Sequence, residues 1–153
     1  MKITELMDKD LIIPMLVAKT KKEALRELVD CVAKKESNVD SAELLRVLLE
    51  REELGSTGIG DGIAIPHGKI KTIAHLIVSF GRSLEGVDFQ SMDGKPTHII
   101  FLLIAPENSA GIHLKALARI SRLLKDSAFR RSIMGATTSQ EIYDIIARED
   151  EKY

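Results

Sequence analysis

A chain of 153 residues with 22 basic and 23 acidic side chains carries a net charge of −1, a balance that leaves no electrostatic footprint for nucleic acid. Its length fits one domain spanning 1–153, and 44% hydrophobic with 29% charged residues is the composition of a globular chain with a sizeable core. No apolar run approaches the ~20 residues of a membrane helix, no signal-peptide pattern opens the chain, and the single cysteine, Cys31, excludes an intrachain disulfide and a thiolate metal cluster. A cytoplasmic protein is expected, with Cys31 as a small buried apolar residue.

Thr20-Lys-Lys-Glu23 has the spacing of a capping box, and Leu25, Leu28, Val29 and Val32 follow at helical intervals, which predicts a helix over 21–35. Asp40-Ser-Ala-Glu43 repeats the device ahead of Leu44, Leu45, Leu48 and Leu49, so a second helix should run to about Glu53 and stop at Gly55. The stretch from Gly55 to Gly68, GSTGIGDGIAIPHG, follows at once; five of its fourteen residues are glycine. Ile63, Ala64 and Ile65 inside it form a short segment expected to enter the core and re-emerge at Pro66. Apolar runs at Ala74–Phe80 and Thr97–Ile104 read as strands, the second covered on both faces, with a tight turn at Asp93-Gly94 between them. From Ile112 the pattern is helical again, with Leu114, Leu117, Ser121 and Leu124 on one face. Thr138-Ser-Gln-Glu141 then caps a last helix bearing Ile142, Ile145 and Ile146. Helices at both ends thus bracket a sheet, an α/β arrangement. Lys115, Arg119, Arg122, Lys125, Arg130 and Arg131 give the C-terminal third a basic stretch, read as a solvated helix face rather than a docking surface.

Several site chemistries fail on letter and spacing. Gly68-Lys69 is followed by Ile70, which breaks a P-loop, and Ile63 and Ile65 stand where a dinucleotide fingerprint needs glycine. No G-x-S-x-G elbow is present, and His67, His75, His98 and His113 show no paired zinc-ligand spacing, so no metal and no cofactor are expected. What remains is His67, fixed between Pro66 and Gly68 after an anion-cradling loop. A neutral imidazole nitrogen attacks phosphorus, and phosphoryl transfer asks the protein chiefly to position groups and surround the equatorial oxygens with donors. Ser56, Thr57, Gly58, Gly60 and Gly68 are the expected phosphate-binding set, through hydroxyls and closely approaching backbone. A histidine merely satisfied within a turn would be the first reading of an isolated Pro-His-Gly; the preceding glycines reverse it.

Two companions are expected for His67. His113 opens a predicted helix, where the dipole favours an anion, and is read equally well as a water-facing residue. Arg51 lies one helical turn before the loop and could reach a phosphate with its planar fork, or form an ordinary surface pair. His75 and His98 sit at strand edges and are read as structural or incidental.

The run from Arg51 to Gly68, REELGSTGIGDGIAIPHG, resembles the active-site signature of enzyme IIA of the phosphoenolpyruvate-dependent phosphotransferase system, in the fructose/mannitol class that includes the nitrogen-regulatory proteins. Ala105-Pro-Glu and His113-Leu-Lys-Ala-Leu-Ala-Arg-Ile-Ser-Arg-Leu-Leu-Lys125 are similar to that family's second active-site segment, and the resemblance covers nearly the whole chain. It implies a single domain with a mixed β-sheet flanked by helices on both sides. It further implies that His67 accepts a phosphoryl group, on Nε2, from a phosphohistidine of HPr or its nitrogen-branch counterpart, with His113 and Arg51 in the pocket and no metal or nucleotide. No IIB module with its cysteine and no membrane-spanning IIC follows in this sequence. That tilts the expectation toward a regulatory phosphocarrier acting on target proteins. The alternative is a fructose-type IIA that passes phosphate to a separate IIB; an unrelated histidine-dependent hydrolase stands behind both.

Overall fold

In the computed structural model, which describes residues 1–153, a sheet runs through the middle of the molecule, and each of its faces is covered by helices. In chain order the elements are β1 (Ile12–Ile13), α1 (Lys21–Lys35), α2 (Ser41–Glu53), β2 (Gly58–Gly60), β3 (Ile63–Ala64), β4 (His67–Ile70), β5 (Ile77–Val87), β6 (Thr97–Pro106), α3 (Ala110–Leu124), α4 (Ser127–Gly135) and α5 (Ser139–Asp150). Strand order is β1-β5-β6-β3-β2, with β4 also paired to β6. The sheet is mixed: β5 runs antiparallel to β6, whereas β1 is parallel to β5 and both β3 and β4 are parallel to β6.

The continuous apolar run of β6 explains why it lies at the centre. Side chains alternate across a strand, so Ile99, Phe101, Leu103 and Ala105 join the core under α3, α4 and α5, while Ile100, Leu102 and Ile104 join the core under α1 and α2. The two clusters hold 21 and 20 buried residues, so neither face is the solvent side. Helix starts follow the capping letters: Thr20, Asp40, Asp126 and Thr138 each accept a backbone N–H in the first turn of α1, α2, α4 and α5.

Three details differ from the sequence expectation. The basic C-terminal stretch is two helices, not one, because Asp126 caps a new helix whose Phe129 and Ile133 are buried one turn apart. Its charges are also partly structural: Arg119 pairs with the buried Asp150 at 2.7 Å, and Arg130 donates to the Leu124 carbonyl. The strand expected at Ala74–Phe80 begins at Ile77 and extends to Val87, through the polar letters Arg82 and Ser83, which sequence periodicity counts as surface. Arg82 is buried nonetheless; it donates to the carbonyls of Pro14, Ile133 and Ala136, and burial lowers its pKa. Cys31 is half-buried rather than buried, its thiol 3.4 Å from the Asp10 carbonyl.

Candidate functional site

The glycine-rich run folds as a tight hairpin followed by a short strand. β2 and β3 pair antiparallel about a turn in which Gly60, Asp61 and Gly62 all have positive φ (97°, 57° and 76°), backbone that glycine adopts at little cost. β3 and β4 follow β6 in one register, Ile63 opposite Ile99 and His67 opposite Leu103; Pro66 between them has no N–H to give the ladder, but its carbonyl accepts the Leu103 N–H at 3.0 Å. Gly68 lets this segment lie against α2, since a Cβ there would stand 2.8 Å from Cγ1 of Val47.

His67 is half-buried at the first position of β4, and its Nδ1 lies 2.8 Å from the carbonyl oxygen of Ile65. A carbonyl only accepts, so this bond requires the proton on Nδ1 and, in the neutral ring, leaves the lone pair on Nε2. Ile65 is free to offer that carbonyl because alternate residues turn their peptide groups to opposite edges: Gly62 and Pro66 accept from Ile99 and Leu103 of β6, whereas Ile65 faces away, its N–H donating to Thr57 O at 3.1 Å.

His113, in the first turn of α3, meets His67 edge to face, with ring centroids 5.4 Å apart and planes at 81°. It is buried at 7% exposure, and its Nε2 has no hydrogen-bond partner. Burial lowers its pKa, and the neighbouring His67 and Lys69 lower it further, so the ring is held neutral. The sign for stability follows. The unfolded chain protonates His113 near its ordinary value of 6.5 while the folded chain resists, so stability is retained above that pH and lost as pH falls below it. We therefore expect the urea midpoint to drop more between pH 7 and pH 5.5 in the wild type than in His113→Gln; equal drops would remove His113 as the cause.

A small cleft of about 250 Å³ joins the two rings, lined by His67, Lys69, Ala110, His113, Leu114 and Leu117. Of the residues anticipated from sequence, His67 and His113 are brought together here. Arg51 is not in the lining: its Nη1 donates to Gly55 O at 3.0 Å, closing the end of its own helix. The loop hydroxyls are also committed elsewhere. Ser56 Oγ donates to Phe89 O at 2.9 Å, and the buried Thr57 donates its hydroxyl to Glu52 at 2.5 Å. Gly58 and Gly60 belong to β2, where a Cβ on Gly58 would collide with Ser91. His98 places Nδ1 2.8 Å from Ser83 O, a structural contact, and His75 is exposed. Lys69 escaped the sequence reading; its signal is strand periodicity, because residues two apart share a face, and His67 and Lys69 do. No helix is long and apolar enough to cross a membrane.

Residues 5–149 match the family model for the phosphoenolpyruvate-dependent sugar phosphotransferase system, EIIA 2, and the chain belongs to that family. Among its relatives is a nitrogen regulatory protein of Bradyrhizobium diazoefficiens, 42% identical over 147 residues that make up 96% of this chain and 95% of the relative. A fructose-specific EIIABC component of Bacillus subtilis is 39% identical over 150 residues; they cover 98% of this chain but only 24% of that longer protein. The crystal structure of nitrogen regulatory protein IIA-Ntr from Neisseria meningitidis superposes with a TM-score of 0.87 at 33% identity, over 94% of this chain and 98% of that one. The fold is shared as well with IIA mannitol of Escherichia coli, TM-score 0.77 at 24% identity, over 91% and 97% of the two chains.

Proposed function

We propose that His67 is the phosphoryl acceptor of a phosphohistidine carrier. The observation that carries this reading is the Nδ1–H bond to Ile65 O, which leaves the Nε2 lone pair free beside an unpartnered His113 nitrogen. Nε2 of neutral His67 attacks the phosphorus of a donor phosphohistidine; the new N–P bond forms as the donor's N–P bond breaks, and the departing imidazole keeps the electron pair. Positive charge that develops on the His67 ring is stabilised through Nδ1–H by the Ile65 carbonyl.

The incoming dianion brings acceptor oxygens to this cleft. His113 presents a buried ring nitrogen with no partner, an arrangement that costs on the order of 1–3 kcal/mol, and a phosphoryl oxygen would accept its proton. Lys69 adds a positive charge to the same cleft. Ser56, Thr57, Gly58, Gly60 and Gly68 serve the phosphate by shaping the segment that holds His67, and Arg51 would reach it only by leaving Gly55 O. HPr or a nitrogen-branch phosphocarrier is the proposed donor.

The proposed output is regulatory, with the phosphorylation state of His67 read by target proteins in the cytoplasm. The similarity to nitrogen regulatory proteins along nearly their full length supports this. Transfer to a separate EIIB is the second reading, supported by the fructose-specific relative. The test is incubation with phosphoenolpyruvate, enzyme I and phosphocarrier: one phosphate should be gained, labile to acid and stable to base, and no mass gain would end the acceptor reading. Adding a fructose-type EIIB then separates the two outputs, since rapid loss of the phosphate to EIIB favours transport. His113→Ala should slow uptake by about a hundredfold to a thousandfold while the fold persists, the scale of losing one transition-state donor. An unchanged rate measured by rapid quench would take His113 out of the mechanism.

A further inference from the structure

Behind the cleft lies a buried chain of hydrogen bonds that ends at His67. Glu52, in the last turn of α2, is only 8% exposed, and its carboxylate accepts from Thr57 twice, from the backbone N–H at 3.0 Å and from the hydroxyl at 2.5 Å. The same carboxylate pairs with Lys21 Nζ at 2.9 Å, and Lys21 itself lies over the Phe89 ring. Thr57 then passes the constraint on: its carbonyl accepts the Ile65 N–H at 3.1 Å, and the Ile65 carbonyl accepts Nδ1–H of His67 at 2.8 Å.

Each link matters because β6 holds only one edge of this stretch, where Pro66 O accepts the Leu103 N–H at 3.0 Å. The peptide groups of Ile65 face the opposite edge, where its N–H bond to Thr57 O is the backbone contact that places its carbonyl. A buried ion pair adds little net stability compared with an apolar pair of the same shape, because desolvation offsets attraction. What Glu52 and Lys21 supply is a defined position for Thr57.

We propose that Glu52 is a positioning residue that sets the tautomer and orientation of His67 by holding Thr57 against Ile65. The proposal rests on His67 being the phosphoryl acceptor. If Glu52 releases Thr57, Ile65 loses its anchor and its carbonyl moves away from Nδ1. The neutral ring then populates both tautomers, and the one protonated on Nε2 has no lone pair to attack phosphorus there.

The experiment uses the full chain with E52Q, T57V and T57S. On unphosphorylated protein, ¹⁵N NMR of the imidazole nitrogens at about pH 8, above the ordinary histidine range, should show the Nδ1–H tautomer for wild-type His67 and a mixture of tautomers in E52Q and T57V. Phosphoryl uptake from the phosphocarrier should fall by about tenfold to a hundredfold in those two, the scale of a misplaced nucleophile. T57S keeps the hydroxyl and should return both readouts to wild-type values. Wild-type tautomer populations in E52Q or T57V overturn the proposal, whether or not uptake slows. Should E52Q fail to fold, the T57V and T57S pair decides. If the wild type takes up no phosphate, the acceptor reading fails, and the tautomer populations still decide whether Glu52 orients the ring.

Discussion

His67→Ala is expected to fold as the wild type does and to take up no phosphoryl group, a loss of at least about a thousandfold, as for removal of a covalent nucleophile. The side chain is half-buried and makes one hydrogen bond, to a carbonyl two residues away, so its truncation should cost about 1 kcal/mol of stability. His113 does not substitute for it. Its Nε2 is buried, whereas His67 is only half-buried and is the ring a donor protein can reach. Intact-mass measurement after incubation with enzyme I, phosphocarrier and phosphoenolpyruvate is the check, with thermal melting as the control for folding. The same added phosphate on the alanine variant would move the acceptor elsewhere.

Phe101→Ala should destabilise the protein by about 3–5 kcal/mol, a large part of the total for a domain of this size. Phe101 is fully buried in the middle of β6 and meets Phe80 of β5 edge to face, with centroids 5.0 Å apart and planes at 77°. Truncation removes the ring, its aromatic partner contact and a volume too large for neighbours in a regular sheet to refill. The melting temperature should fall by about 6–20 °C. Phe101→Leu keeps most of the volume and should lose less than half as much. A loss below about 1 kcal/mol in Phe101→Ala, by urea unfolding, would show that the core beneath α3 is not held by this strand. Because β6 also sets the register of His67 opposite Leu103, the surviving folded fraction should still accept phosphate.

What could be read from the letters was what local chemistry decides. The capping boxes at Thr20 and Thr138 place α1 and α5, and the apolar run of Thr97–Ile104 identifies the doubly covered strand. His67 stands out as the candidate because Pro, Gly and the preceding hairpin glycines are letters with fixed backbone meanings. What the letters do not display is which side chains become partners in the folded chain. Thr57 has a hydroxyl beside glycines, available to an anion by its letters, and its bond to Glu52, five residues earlier, forms only where the end of α2 turns toward β2. Arg82 is buried because carbonyls from Pro14, Ile133 and Ala136, distant in sequence, satisfy it. The meeting of His67 and His113 likewise depends on β6 carrying the chain from one to the other.

The gap between β3 and β4 has a consequence for how such a site can be altered. The register runs through it unshifted, and on the edge away from β6 the Ile65 carbonyl answers to an imidazole instead of to another strand. Stabilising redesign commonly works by making strands more regular, and here regularity is the hazard. A substitution that gave the Ile65 carbonyl a strand partner on the edge away from β6 would yield a tougher protein whose histidine had lost its orienting acceptor, so that unclaimed edge is the part to leave untouched.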